Sequence, residues 1–521
     1  MDHRASLASI AQRATLLGAA SDRLAALLIA ALGAAVALTV RTAWPFDGLY
    51  GQDAFAYFRY ARALWPWLLR GEPLPIYYWP AGYPLLVALA LPLAGWGSAA
   101  GQAVSILAGA GAAGLTYLLS RALLPDAPGD RLAAWVGGLA VALSGAVLRA
   151  NLTVMSDALA MACCAAALWA MARYTRTWYW PWLAGAAVAL AWAIITRWIC
   201  GLLAIPMLGF LILDRRHPIA QPEIKPRKYI VDFLVATVLG ALIVIPQLLN
   251  RDTTPTELSQ HQWLVSWNIA NAWQRDFTTI DGTQHYAMPV GVFYLAQLAW
   301  PSFLFPLLAL ACPFSILWLV RGRRWPALVL LAGWPLMIWL FVSGIPYQNS
   351  RFILPALPAL AVLAGQGFAW AYASARRRLR GALVIGLALA LLGGLAWGVR
   401  DYRKLVAYEN DQLALVDWVR ARLPANSTLI TFGATLTLQH YTTYDVRELF
   451  ELAPPDLDAL TLQQRPVYLL LDVGSAERQW AGLRPQQDYH YLQQHPGLEL
   501  VDQRLPYTLF RFKQPQTTTL P

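Results

Sequence analysis

The sequence predicts a mostly α-helical, polytopic membrane protein with a small α/β domain at its C-terminal end. Three observations carry this. Of 521 residues, 58% are hydrophobic and only 13% are charged, roughly half the charged share of a soluble chain. Apolar runs of the ~20 residues that span a bilayer as a helix recur up to residue 399. After residue 400 the pattern changes to short strand-like runs and one helical period.

The predicted crossings are residues 24–41, 102–120, 132–149, 152–172, 180–197, 198–214, 230–249, 291–320, 326–343, 352–374 and 381–399. Arg4, Arg13 and Arg23 precede the first run with no small-residue cleavage site after it, which predicts an uncleaved first helix. The stretch "AGYPLLVALALPLAG", residues 81–95, is apolar but short and contains Pro84 and Pro92. Charge decides its placement. If 81–95 does not cross, the basic loops at Arg121/Arg131, Arg173/Arg176, Arg215–Lys228, Arg321–Arg324 and Arg376–Arg380 all fall on the N-terminal side. About eleven transmembrane helices follow, with juxtamembrane helices in residues 43–100. The expected location is the plasma (inner) membrane, N-terminus cytoplasmic and C-terminal domain extracytoplasmic.

The domains predicted are thus a membrane module, 1–399, and a domain, 400–521. In the latter, 413–423 has helical periodicity, and 427–432, 466–472, 498–503 and 507–512 read as strands. Helices alternating with strands predict a small α/β layer. The final "PQTTTLP" reads as a disordered tail.

The net charge is +11; from Arg400 onward the count is 12 basic and 14 acidic residues, so the first 399 residues carry +13. The excess lies in clusters between apolar runs, a topology signal that excludes a nucleic-acid surface. Cys163, Cys164, Cys200 and Cys312 all lie in apolar runs without metal-ligand spacing, as small buried hydrophobes do. "GAGAAG", residues 109–114, fits a dinucleotide fingerprint but lies inside an apolar helix, where small residues serve close helix packing. The triplets at Asn151 and Asn426 fit a glycosylation sequon, a pattern frequent by chance.

Polar residues converge on the outer face. Asp53 opens "DAFAYFRYARAL", an amphipathic stretch with Tyr57, Arg59, Tyr60 and Arg62 interleaved. It is either a first-turn carboxylate favoured by the helix dipole or a reactive acid. Asp157 begins about a turn into an apolar run, where a carboxylate is costly unless paired or facing a wet cavity; the other reading is a local contact with Asn151, Thr153 or Ser156. Arg197 and Arg351 stand at outer ends of apolar runs, suited either to paired hydrogen bonds to a phosphate or to snorkelling. His261 and His285 sit in the loop 250–289, long enough to cover a cleft. Two acids and two arginines on one face suit a phosphate that leaves and a hydroxyl that attacks.

From "GQDAFAYFRYARALWPWLLRGEPLPIYYWPAGYPLLVALALPLAGWGSAAGQ", with "ITRWICGLLAIP" and "SRFILPALPALAVLAG" downstream, the chain resembles the C-type glycosyltransferase superfamily (GT-C). The branch it resembles holds the polyprenyl-phosphate mannosyltransferases and aminoarabinose transferases. The resemblance implies a membrane glycosyltransferase moving a sugar from a polyprenyl-phosphate donor to an acceptor hydroxyl on protein, lipid or polysaccharide. Asp53 matches the first-loop catalytic acid and Asp157 the place of a second acid. Arg351 falls where the family contacts lipid phosphate. Tyr57, Arg59, Arg197, His261, His285, Tyr347 and Arg351 are the expected substrate-binding residues. A divalent metal (Mg or Mn) is a candidate cofactor. The family's Asp-Glu pair is here "QDA", with Gln52 before the aspartate and Ala54 after it. The alternative from another class is a non-catalytic transporter or scaffold for lipid-linked sugars.

Overall fold

Apolar runs punctuated by proline and arginine become helices that bury their small residues against one another. The computed structural model describes residues 2–75, 77, 79–124, 129–215, 226–249, 266–279, 282–461, 465–494 and 497–513. The helices of the first half are α1 (Asp2–Ala43), α2 (Gly51–Arg70), α3 (Gly82–Ala94), α4 (Ala99–Leu123), α5 (Asp130–Ala142), α6 (Gly145–Leu152), α7 (Asp157–Thr177), α8 (Trp180–Thr196), α9 (Ala204–Arg215) and α10 (Pro226–Leu249). Then come α11 (Val290–Leu298), α12 (Pro306–Arg321), α13 (Trp325–Ser343), α14 (Leu357–Ser374) and α15 (Arg377–Arg420). Proline stands in the first turn of α8, α12, α13 and α14, where its missing N–H costs nothing and its fixed φ favours the helix.

Among the described residues, seven helices are long and apolar enough to cross a bilayer, eight if α5 and α6, bent by 48°, form one span. Trp180–Thr196, Trp198–Asp214 and Pro306–Arg321 are apolar but shorter. Two expected crossings are not single helices. Residues 132–149 divide between α5 and α6, and 291–320 divide between α11 and α12. Pro301 lies in the second gap and Pro306 starts α12; a proline has no N–H to continue a helix ladder. The stretch 81–95 forms α3, which packs on α2, α4 and α8. Its 13 residues reach roughly 20 Å, short of the ~30 Å hydrocarbon core. Leu85, Leu89 and Leu93, four residues apart, are exposed along one line.

The "GAGAAG" of α4 is a packing stripe. A Cβ on Gly109 would strike the Asn151 side chain, and one on Gly114 the Ala26 carbonyl. The four cysteines are free thiols.

Helix α15 runs without a break through residue 400 for 44 residues, so the change of composition there falls inside one helix. Beyond it lie β3 (Thr428–Thr431), helix α16 (Thr435–Tyr441), β4 (Asp445–Glu448), β5 (Val467–Asp472), β6 (Leu498–Arg504) and β7 (Tyr507–Phe512). They form one sheet in the order β4-β3-β5-β7-β6. β3 is parallel to β4 and β5, whereas β7 runs antiparallel to β5 and β6. β4 was hidden in the sequence because "DVRE" is an edge strand of charged residues. Within the expected covering loop 250–289, a hairpin of β1 (Asp276–Thr279) and β2 (Gly282–His285) forms. Its Thr283 N–H donates to the Gln479 carbonyl at 2.7 Å, tying the hairpin to the C-terminal sheet unit.

Candidate active site

The first acid stands on α2. Tyr50 precedes the helix in an extended conformation and gives it no side-chain cap. Asp53 lies in the first turn, but its partner is distant in sequence: Oδ2 accepts from Arg351 Nη1 at 3.3 Å. The second acid begins α7 after a bent link, 153–156. That link is fixed by the Val154 N–H, which donates to the Gly48 carbonyl at 2.8 Å. Gln102 reinforces it from α4, donating through Nε2 to the carbonyls of Phe46 at 3.0 Å and Leu152 at 2.9 Å. Gly48 has φ +90° and a Cβ there would strike Gln102, so this close approach needs glycine.

Asp157 is almost wholly buried, its side chain 2% exposed. Burial of a carboxylate is tolerated where charges pair it. Its Oδ2 accepts from Arg351 Nε at 2.9 Å, and its Oδ1 lies 2.7 Å from Arg197 Nη2. The local alternative is not what forms: Asn151 packs on Gly109, Thr153 Oγ1 donates to the Arg149 carbonyl, and Ser156 Oγ accepts from Arg197 Nε at 3.1 Å. The result is a chain, Asp53–Arg351–Asp157–Arg197, linking α2, the stretch before α14, α7 and the end of α8.

The arginines are held from behind. Arg351 N–H donates to Asn349 Oδ1 at 3.1 Å, and Tyr294 OH donates to the Tyr347 carbonyl at 3.0 Å while accepting from the Asn349 N–H. Arg197 lies over the Phe352 ring at 5.9 Å. Tyr57 OH meets Ser156 Oγ at 3.1 Å; burial pushes its phenol up to about 12 against the lowering effect of Arg197, so it stays a neutral hydroxyl. A cavity of about 320 Å³ opens on this chain, lined by Asp53, Asp157, Arg351, Tyr347 and Arg149 among others.

Residues 79–248, about a third of the chain, match the family model described as dolichyl-phosphate-mannose-protein mannosyltransferase. No curated protein matches the sequence. Among solved structures, ArnT from Cupriavidus metallidurans bound to undecaprenyl phosphate superposes with a TM-score of 0.62 at 14% identity. The match covers 92% of this chain and 97% of that one. The oligosaccharyltransferase AglB from Archaeoglobus fulgidus, with an inhibitory peptide and a dolichol phosphate, gives 0.60 at 11% identity over 95% of this chain and 75% of that one. A further structure of the Archaeoglobus fulgidus enzyme, complexed with Zn and sulfate, gives 0.59 at 13% identity, covering 86% and 68%. The chain has the GT-C glycosyltransferase fold.

Within this GT-C fold, Asp53, Tyr57, Asp157, Arg197, Tyr347 and Arg351 come together. Arg59 and His285 do not join them. Arg59 Nη1 donates to Gln439 Oε1 at 2.7 Å in the C-terminal unit. His285, on the hairpin, is exposed and pairs with Asp276 at 2.9 Å. His261 lies outside the described residues. Sequence reasoning missed Arg149, at the end of the predicted span 132–149. It occupies the same kind of position as Arg197 and Arg351, an arginine at the outer end of an apolar run, and that signal marks it. Its Nη2 donates to Ser350 Oγ at 3.2 Å, and no carboxylate pairs with it among the described residues.

As to a metal, a hard dication takes about six oxygen ligands. Among the described residues no three of His, Cys, Asp and Glu gather, and the GT-C cavity's two carboxylates are bridged by a guanidinium. This residue set does not fit a bridging dication, and no step below is routed through one.

Proposed function

We propose that the protein transfers a sugar from a polyprenyl-phosphate donor to an acceptor hydroxyl at the outer leaflet, with inversion, and that Asp53 is the general base. The observation that carries this reading is the contrast between its two acids. Asp157 is spent on two arginines and fully enclosed, whereas Asp53 gives one oxygen to Arg351 and is 38% exposed at the cavity. Only the second has a free oxygen for a proton from outside.

The acceptor oxygen attacks the anomeric carbon while the carbon–oxygen bond to phosphate breaks. The phosphate leaves with that electron pair, and the acceptor proton passes to Asp53 Oδ1. The base and the leaving phosphate lie on opposite faces of the sugar, which inverts the anomeric carbon, as in inverting glycosidases. Arg149, without a carboxylate partner among the described residues, takes the leaving phosphate together with Arg351; guanidinium matches phosphate in charge and geometry. Arg197 and Asp157 orient Arg351. Counting Arg197 behind the lining, the cluster of three arginines and two aspartates at the cavity leaves one positive charge in excess, which favours an anion.

The test is transfer of radiolabelled sugar from polyprenyl-phosphate donors by purified wild type and Asp53→Asn. The expected loss is roughly a hundredfold or more, with donor binding retained. A wild type that binds donor but turns none over, with any acceptor or divalent metal, overturns the reading in favour of a transporter or scaffold.

A further inference from the structure

Helix α2 has two working faces. Asp53 lines the cavity, whose rim Gln52 also borders, and Tyr57, four residues on, bonds Ser156 beside the ion-pair chain. Gln52, Phe55 and Arg59, at spacings of three and four, meet α16 of the C-terminal sheet unit, as residues on one helical face do. On that face the Gln52 amide uses both ends: Oε1 accepts from the Leu436 N–H at 2.9 Å, and Nε2 donates to Thr437 Oγ1 at 3.2 Å. Arg59 reaches Gln439. The Phe55 ring lies 5.4 Å from His440 and 5.8 Å from Tyr441. The chain entering α2 is held as well, because Tyr441 OH donates to Asp47 Oδ2.

α16 is a firm partner. Thr435 Oγ1 donates to Glu448 Oε2 at 2.6 Å, and Gln439 Nε2 donates to the Val446 carbonyl at 2.9 Å, so both its ends rest on β4. By contrast, the first turn of α2 has no side-chain cap, and Gly51 at φ +64° has nothing within 4 Å of its Cβ direction. The turn is otherwise held by the Asp53–Arg351 pair and the burial of Ala54 and Phe55, and the Gln52 amide is its polar tie to the C-terminal unit. Consecutive helical residues point about 100° apart. Fixing Gln52 against the C-terminal unit therefore couples the direction of Asp53 to that unit.

We propose that Gln52 is a positioning residue through which the C-terminal sheet unit holds Asp53 toward the cavity. The sheet unit is then part of the catalytic apparatus although it contributes no reacting group. Position 52, which flanks the acid, serves as a docking handle rather than as a second acid. The inference rests on the transfer reaction proposed above.

The experiment pairs Gln52→Leu, which keeps volume and loses both hydrogen bonds, with Thr437→Val from the other side of the contact. Each is expected to lower kcat roughly tenfold or more, the cost of misplacing a reacting group, with donor KM unchanged in Thr437→Val, whose site lies off the cavity. The double variant should be no worse than Gln52→Leu, since Thr437→Val removes one of the two hydrogen bonds that Gln52→Leu already removes. Hydrogen exchange of the peptide covering residues 51–57 should speed up in each single variant and stay slow in Gln52→Glu, whose carboxylate still accepts from Leu436 and Thr437. Wild-type rates in both single variants, or multiplying effects in the double, overturn the inference while leaving the transfer reaction intact. If wild type transfers no sugar, it is the transfer reaction that fails; the exchange data then decide Gln52 alone, and unchanged exchange overturns its role.

Discussion

Asp53 and Asp157 carry the same functional group in different surroundings, and the surroundings predict opposite phenotypes. Asp157→Asn leaves two guanidinium groups buried without their shared counter-ion, so unfolding in detergent should show a loss of about 3–5 kcal/mol. Asp53→Asn removes one partner from a partly solvated pair 3.3 Å apart, and its stability cost should stay within about 1 kcal/mol while transfer is lost. Calorimetry of the two variants side by side checks this; equal destabilisation would contradict the division of labour. Arg149→Gln should weaken binding of sugar-free polyprenyl phosphate roughly tenfold or more, the worth of a charge-assisted hydrogen bond, with little change in melting temperature. At this scale the sequence was legible where an intramembrane charge is expensive: Asp157, Arg197 and Arg351 stood out for that reason. Arg59 was misleading because an arginine on an amphipathic helix serves any polar neighbour, here Gln439.

Between elements, α6 and α15 approach closely in the membrane module. A Cβ on Gly398 would lie 2.2 Å from the Gly145 Cα, so two backbones meet where only glycines fit. Since α6 carries Arg149, the contact also sets the cavity wall. Gly398→Ala should destabilise by about 1–3 kcal/mol through overpacking, whereas Gly381→Ala on the same helix, with open space around it, should be neutral or slightly stabilising. The C-terminal unit offers a pH test. Burial pushes the Glu448 carboxyl up to about 7 from an ordinary 4.5. The folded state therefore holds its proton longer than the unfolded state, and stability falls as pH rises from about 4.5 to about 7, then levels off. Glu448→Gln removes that slope: the gain in melting temperature should be clear at pH 8 and absent at pH 4. The starts of α8 and α13, each with proline in the first turn, were legible to within a residue. The division of 291–320 was not, because hydropathy averages over the gap between α11 and α12.

The whole molecule places the cavity and the C-terminal unit on the same side of the helical layer, since α2 touches both. The sequence-based topology puts that side outside the cytoplasm. Leu505 is 84% exposed in the turn between β6 and β7, and three of the four native cysteines are buried. Leu505→Cys should thus react with a membrane-impermeant maleimide in intact cells; labelling only after permeabilisation would invert the topology. The mostly helical membrane architecture and the C-terminal α/β layer were readable from composition and periodicity. How the layer sits was not, because docking depends on contacts between residues such as Gln52 and Leu436, hundreds of positions apart. The uninterrupted α15, 44 residues long, spans about 66 Å, more than twice the ~30 Å hydrocarbon thickness. A rod of that kind leaves the sheet unit no slack. The entropy of bringing α16 to α2 is met when the helix forms, as if the partner were present at very high effective concentration. Gln52 is accordingly free of any duty to supply affinity, and its two hydrogen bonds act on orientation alone.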